Sequence, residues 1–461
     1  MGRFLIQSLK ALLVLAVLFI VCLPAGLGWY LDRQLYQRSD ALTDWLAEHG
    51  FPQAQLSIQR QHFAWLYSDY RIAVTLQAGN DTPDLRLNSR LQHGPLNWEG
   101  LTRGQWHWQL ASSATQWQFE SQLLPDLNTQ QQLDFKGQLR GDWRFLGYRG
   151  QHGERRFDIA NSSGRWHYQP DSRSLEAELS LPDLRLRLGE HALQLSEFLL
   201  ALSVSGTGTA LPVGDARITL GTARWREPGR DWRLRNFRWQ GLFSDYESLS
   251  NFQWSARSDS LELNQYALNQ LEVDSALRGI SKSSVQALMP DQGWGTWKET
   301  WSILSQQWQQ RAGDIVANSE FEVAHLAVQT PEGPVRGFLR TNVPPTAELE
   351  TSQASALLSA MDLSAEVSVP QTMMHALLED SGIQERFFVD EHYRFLKKKT
   401  SPERLREMAE KAAKQQLKMV VSQGLIAAGN GQYWTQIRLK EGQLSLNRQS
   451  VYDFTRSAPQ N

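Results

Sequence analysis

Residues 175–188 read LEAELSLPDLRLRL. Leu175, Ala177, Leu179 and Leu181 alternate with Glu176, Glu178 and Ser180. Beyond Pro182, Leu184, Leu186 and Leu188 alternate with Asp183, Arg185 and Arg187. A period of two sends the apolar side chains to one face of a strand and the polar ones to the other. This is the pattern of an antiparallel sheet with one apolar and one solvated face. It recurs on both sides of the segment. Upstream are Tyr70, Ile72, Val74 and Leu76, then Leu85, Leu87 and Leu91, then Trp106, Trp108 and Leu110, then Leu133, Phe135 and Leu139. Downstream are Leu271, Val273 and Leu277. Turn chemistry punctuates the strands at 93–95 (HisGlyPro), 140–142 (ArgGlyAsp), 181–182 (LeuPro), 212–215 (ProValGlyAsp) and 228–229 (ProGly). No helical period interrupts Ser57 to Gly279, which excludes a βαβ protein.

The two flanks of this block read differently. Ala11 to Leu31 carries no charged residue, and about twenty apolar residues suffice to cross a bilayer core. Arg3 and Lys10 precede it, which keeps a short tail in the cytoplasm, and Trp29 and Tyr30 sit where aromatic rings prefer the interface. The rival reading is a cleaved signal peptide, with Gly26 and Gly28 as small residues near the cleavage site. Val21 before Cys22 argues against a lipoprotein site. Asp32 to Gly50 continues as a helix. After the strand block, Trp294, Trp297, Trp301, Leu304 and Trp308 recur at three and four, one face of a helix. That face reads as core, as cover for an apolar groove, or as a partner surface. Further strands follow at Phe321–Val323, Phe338 and Leu363–Val369, with a hairpin across Thr330–Gly333 and a helical run at Gln371–Glu379. Ser401 caps and Pro402 opens a long helix whose stripe is Leu405, Met408, Ala409, Ala412, Ala413, Val420 and Val421; Gly424 ends it. The chain closes with a hairpin that turns at Glu441-Gly442.

Composition narrows function by exclusion. Lys plus Arg number 47 against 49 Asp plus Glu, so the net charge of -2 offers no basic stripe for nucleic acid. A single cysteine excludes a disulfide framework and any cysteine-built metal site. No phosphate loop, HExxH or nucleophile elbow is present; GlyTrpGlyThrTrpLys at 293–298 is only a fragment of a phosphate loop. His93, before Gly94 and Pro95, reads either as an acid or base on a rigid turn or as a structural turn residue that packs locally. Asp231, Asp245 and Glu247 are carboxylates that could pair for glycosidic chemistry. No catalytic, cofactor-binding or metal-ligating residue is assigned.

Four short segments carry a family resemblance. They are GlyTrpTyrLeuAspArgGlnLeu at 28–35, PheAlaTrpLeuTyrSerAsp at 63–69, LeuGlnHisGlyPro at 91–95 and LysGluGlyGlnLeuSerLeuAsn at 440–447; ThrProGluGlyProValArgGly at 330–337 fits as well. Ala64 stands where the motif has glycine. The chain resembles the YdgA-like proteins, bacterial envelope proteins of unknown function with an N-terminal anchor and a periplasmic body. The resemblance marks Trp29, Tyr30, Trp65, Ser68, His93, Gly94, Pro95, Gly333, Gly424, Tyr433, Gly442 and Asn447, and implies no catalytic residue.

The expectation is a mainly β (α+β) protein. Residues 1–10 form a cytoplasmic tail, 11–31 a transmembrane helix, 32–290 a β-rich periplasmic region, and 291–461 an α/β periplasmic region. The β body is antiparallel and elongated, with C-terminal helices and a closing hairpin. The expected role is non-catalytic and cofactor-free, in the bacterial inner membrane, binding lipid or another apolar ligand along a sheet groove. The alternatives are an envelope scaffold with a tryptophan-rich contact surface and a periplasmic glycan hydrolase. The partners expected are the inner membrane, through residues 11–31, and a lipid or envelope protein, not nucleic acid.

Overall fold

The computed structural model describes residues 24, 26–37, 39, 41, 43–44, 53–75, 84–94, 109–119, 126–206, 213–264, 266–283, 318–343, 360–374 and 401–454. These fall into two compact units divided between Arg230 and Asp231. Both are antiparallel meanders, as the period of two requires.

The N-terminal unit begins with β1 (Gln55–Phe63), β2 (Tyr67–Thr75), β3 (Leu85–His93), β4 (Ala111–Phe119), β5 (Leu127–Leu133) and β6 (Leu139–Phe145), each paired with the next. β6 then pairs with β9 (Ser162–Gln169), and β9 with β10 (Ser174–Leu188). The hairpin of β7 (Tyr148–His152) and β8 (Arg155–Ile159) attaches to the far half of β10. The ladder ends with β11 (His191–Ser205) and β12 (Val213–Glu227). Cross-strand register confirms the shared face: Leu87, Trp117, Leu127 and Phe145 stand opposite one another in sequence, as do Leu179, Leu200 and Ile218.

Several turn signals are not turns. LeuPro at 181–182 lies inside the continuous β10. Pro182 sits where that edge changes partner, from β9 through Ser180 to β8 from Leu184, so its missing N–H breaks no ladder bond. ArgGlyAsp at 140–142 is the middle of β6. A Cβ on Gly141 would collide with the indole of Trp166 opposite, and one on Gly164 with that of Trp143. These glycines seat tryptophans across the ladder. Val213, Gly214 and Asp215 already belong to β12, and Pro212 lies outside the described residues. Conversely, the run Leu133–Leu139 is two strands. Asp134 accepts hydrogen bonds from the Lys136 and Gln138 amides and Gly137 takes φ +74°, so the local turn overrides the alternation and leaves Phe135 exposed.

The C-terminal unit continues with β13 (Arg230–Tyr246), β14 (Leu249–Leu263), β15 (Tyr266–Ser281), β16 (Glu320–Thr330), β17 (Gly333–Asn342) and β18 (Asp362–Pro370). β18 pairs with β20 (Gln432–Lys440), whose other edge carries β19 (Ala427–Gly429) and β21 (Gln443–Leu446); β22 (Gln449–Asp453) follows. One row of opposed residues runs Phe243, Phe252, Leu277, Phe321, Thr341, Leu363, Leu439 and Leu444. The other face carries ion pairs such as Arg278–Glu322 at 2.8 Å and Arg340–Glu320 at 2.7 Å. The long helix spans Pro402–Ser422 and is capped by Ser401, with proline opening it.

Pro24 and residues 26–37 are helical. Among the described residues, no helix is long and apolar enough to cross a membrane. Residues 11–23 and 25 of the expected span, the aromatic face Trp294, Trp297, Trp301, Leu304 and Trp308, and the strand at Trp106 and Trp108 lie outside them.

Candidate functional site

Among the most deeply buried side chains of the N-terminal unit, beside Pro24, are two polar ones. Ser68 is 0 % and His93 1 % exposed. Residues 68, 70 and 72 share a face of β2 with 89, 91 and 93 of β3. Ser68 is opposite Leu91, so His93 is its diagonal neighbour. The Ser68 hydroxyl lies 2.9 Å from His93 Nε2. Next along β2, buried Tyr70 donates its phenol to Asp32 Oδ1 at 2.9 Å, and Arg60 of β1 donates to Asp32 Oδ2 at 2.7 Å. Asp32 comes from the N-terminal helix, as does Tyr36, whose hydroxyl accepts the Arg60 amide at 3.2 Å.

That helix comes within contact distance of the imidazole. A Cβ placed on Gly28 would fall 2.3 Å from His93 Nδ1, so no other residue fits there without displacing the ring. Gly94 takes φ +100°, and its Cβ would meet the Pro24 ring at 2.6 Å. The two glycines thus set how closely helix and sheet approach. The motif that reads as a turn is the sheet's half of a helix-docking joint.

Electrostatics follow from the sealing. Burial pushes the His93 pKa below its usual value, opposed by the Trp65 carbonyl and the Asp32 carboxylate. Nδ1 is shut away from solvent without a well-formed hydrogen bond. Burial is likewise the main reason that the Tyr70 phenol is pushed up to about 12, with Asp32 adding to it and Ser68 opposing it. A hydroxyl beside an imidazole with a carboxylate nearby resembles the start of a nucleophilic triad. Here the hydroxyl has no surface open to solvent, and Asp32 bonds Tyr70 and Arg60. The arrangement holds; it offers no opening through which a substrate could be attacked.

The other marked residues divide into surface positions and a second joint. Trp29, Tyr30 and Trp65 are exposed, with Arg33 over the Trp29 ring at 5.8 Å. Pro95 lies outside the described residues. Gly333 turns the β16–β17 hairpin at φ +132° against Pro370. Gly442, at φ +74°, turns the β20–β21 hairpin. Tyr433 lies on β20, opposite Val369. Asn447 ties the end of the long helix to the sheet: its side chain accepts the Gln436 amide at 2.8 Å and donates to the Leu425 carbonyl at 2.9 Å. Gly424, at φ +70°, is crowded by Gln449. Five of the motif positions therefore meet at two separate helix-to-sheet joints, Ser68, His93 and Gly94 at one and Gly424 and Asn447 at the other.

Asp231 and Asp245 do not form a catalytic pair. Asp231 and Asp245 stand fourteen residues apart on β13, about 45 Å along a strand. Asp245 is held by Lys282 and Ser250, both at 2.7 Å; against the effect of burial, these keep its pKa below the usual value, the wrong direction for a general acid. Glu247 forms a turn at φ +52°. Among the described residues, no three His, Cys, Asp or Glu are grouped to hold a metal.

Sequence reasoning found His93, Gly94 and Ser68 but left out Asp32, Tyr70 and Arg60. No hydroxyl partner stands beside His93 in the sequence. The partner is twenty-five residues upstream and is brought close only by the β2–β3 register.

A family model described as Bacterial protein of unknown function (DUF945) matches residues 9–452. The chain belongs to this family. No curated protein and no solved structure matches it.

Proposed function

Taking membership of that bacterial family as the premise, we propose that the chain is a non-catalytic envelope protein that binds the acyl chains of lipid along the apolar face of its sheets. The single observation that supports this reading is the continuity of that face. Leu179, Leu200 and Ile218 stand side by side on β10, β11 and β12, and each is only half-buried. In the N-terminal unit the main ladder joins ten described strands, which at about 4.8 Å spacing gives a face roughly 40 Å across. An ordinary core would bury such residues completely. A ribbon of partly exposed aliphatic side chains with a charged reverse side suits extended hydrocarbon better than a compact ligand.

The proposal extends to location. Of the stretch 11–31, the part before Pro24 anchors the chain in the inner membrane, since Pro24 and Gly28 pack on the sheet, and the remainder lies in the periplasm, as the positive charges before the span favour. Within the family we infer a YdgA-like member, on the HisGlyPro and closing-hairpin segments. Native mass spectrometry of detergent-extracted protein tests the ligand. Co-purifying phospholipid at defined stoichiometry is expected; protein that carries none, and that fails to take up an apolar fluorescent probe, overturns the reading. A reporter active only outside the cytoplasm, fused after Asn461, should be active if the orientation is right.

A further inference from the structure

The solvated side of the first strands is less uniform than a charged surface need be. Two rows of opposed residues cross it. One runs Arg71, Asn88, Gln116 and Asn128; the next runs Asp69, Arg90, Ala114 and Gln130. Ala114 is the one short side chain among long polar neighbours, and it floors a hollow of about 740 Å³. That volume lies within the range of small-ligand sites.

The lining chemistry is mostly uncharged. Arg90 is neutralised by Asp69 at 2.8 Å, and Asp126, at the rim, accepts from Gln116 at 2.9 Å. What remains is an array of carboxamides, each a donor and an acceptor at once. Among the described residues, Asn128 and Gln130 spend neither function on a side-chain hydrogen bond. At one end His62 sits against Tyr67, with centroids 5.5 Å apart. Groups that donate and accept, set in two rows beside flat rings, match a ligand dense in hydroxyls and amides and poor in charge.

We propose that this hollow binds a neutral oligosaccharide. The site lies on the face opposite the apolar ribbon and does not depend on the lipid reading, so either can fail alone. The carboxamides of Gln116, Asn128 and Gln130 hydrogen-bond ring hydroxyls and acetamido groups, while Ala114 leaves room for the sugar.

Saturation-transfer NMR on the full chain with tetra-N-acetylchitotetraose tests it. Saturable transfer is expected with a dissociation constant of about 1 mM or tighter. Ala114→Trp fills the hollow from an exposed position and should weaken binding at least tenfold, with the melting temperature unchanged. Should that variant misfold, the pair Asn128→Ala and Gln130→Ala removes the free carboxamides without adding bulk, and the same loss is expected. Absence of transfer from the wild type, or equal transfer to a folded variant, overturns the proposal.

Discussion

The joint around His93 and the ribbon along β10–β12 are built from the same sheet by opposite means. At the joint, polar groups are sealed: Ser68 and His93 are almost wholly buried and Tyr70 is 3 % exposed. Along the ribbon, Leu179, Leu200 and Ile218 are less completely buried. Hydrophobicity alone would order these the other way. Burying a hydroxyl, an imidazole and a phenol is tolerable only when they bond one another. Such a site specifies one geometry for the helix. Aliphatic residues left open specify nothing, and keep apolar surface available to a ligand. The joint is where the fold is fixed, and the ribbon is where the proposed function places the ligand.

The largest effect that separates the two regions should come from Gly94→Val. It forces a β-branched residue to φ +100° and drives Cβ into Pro24. Left-handed backbone costs about 1–2 kcal/mol and overpacking about 1–3, so a loss of roughly 3 kcal/mol is expected by urea denaturation. A variant within 1 kcal/mol of wild type would mean that helix and sheet are not tightly joined.

His93→Ala comes next. A histidine that only packs locally on a turn would be lost at little cost. The structure raises the expectation to about 2–3 kcal/mol, because a cavity opens and the Ser68 hydroxyl is left buried without its partner. A double-mutant cycle with Ser68→Ala should give a coupling of about 1 kcal/mol. Zero coupling would reduce the pair to mere proximity.

What the sequence conveyed about these regions follows from the range over which each signal acts. Alternation at 175–188 revealed the ribbon because a strand's two faces are set by neighbours one residue away. The same local rule misread Gly141, since the tryptophan that needs it stands on β9. It misread Leu133–Leu139 because a single Asp134 side chain outbids the pattern. At the joint, residue types at 28, 68 and 93 were visible as motif positions. Their contact was not, because it joins a helix to two strands through a register that no single segment encodes.

Acid provides a third and smaller separation. The folded joint resists protonating His93, while the unfolded chain titrates near 6.5. Above that pH both states are neutral and stability from this group is full. Below it the unfolded state gains a proton that the folded site disfavours, so stability falls with pH until the depressed folded pKa is reached, by at most about 1.4 kcal/mol per pH unit. Denaturation midpoints between pH 7 and 5 should decline in the wild type and flatten in His93→Gln. At the alkaline end, Tyr70 keeps its proton to about 12 when folded, so stability should fall again above pH 10, and Tyr70→Phe should remove that decline. Parallel pH curves for either variant and the wild type would detach the corresponding group from the joint.

The ribbon should give the smallest change in stability and the largest in binding. Leu200 is in register with Leu179 and Ile218 yet is not fully buried, so Leu200→Ser loses less apolar area than a wholly buried leucine would. A cost of about 1–2 kcal/mol follows at roughly 25 cal/mol per Å². If acyl chains lie along this face, the same substitution places a hydroxyl under them, and lipid recovered with the extracted protein should drop several-fold. The measurement needs both readouts on one preparation, with Gln194→Ser on the same strand but off the row as control. Loss of lipid at near-native stability keeps the ribbon as an open binding face. A loss of 3 kcal/mol or more with lipid content unchanged would mean that this face is closed in solution, and the contrast with the joint would collapse into two versions of ordinary core.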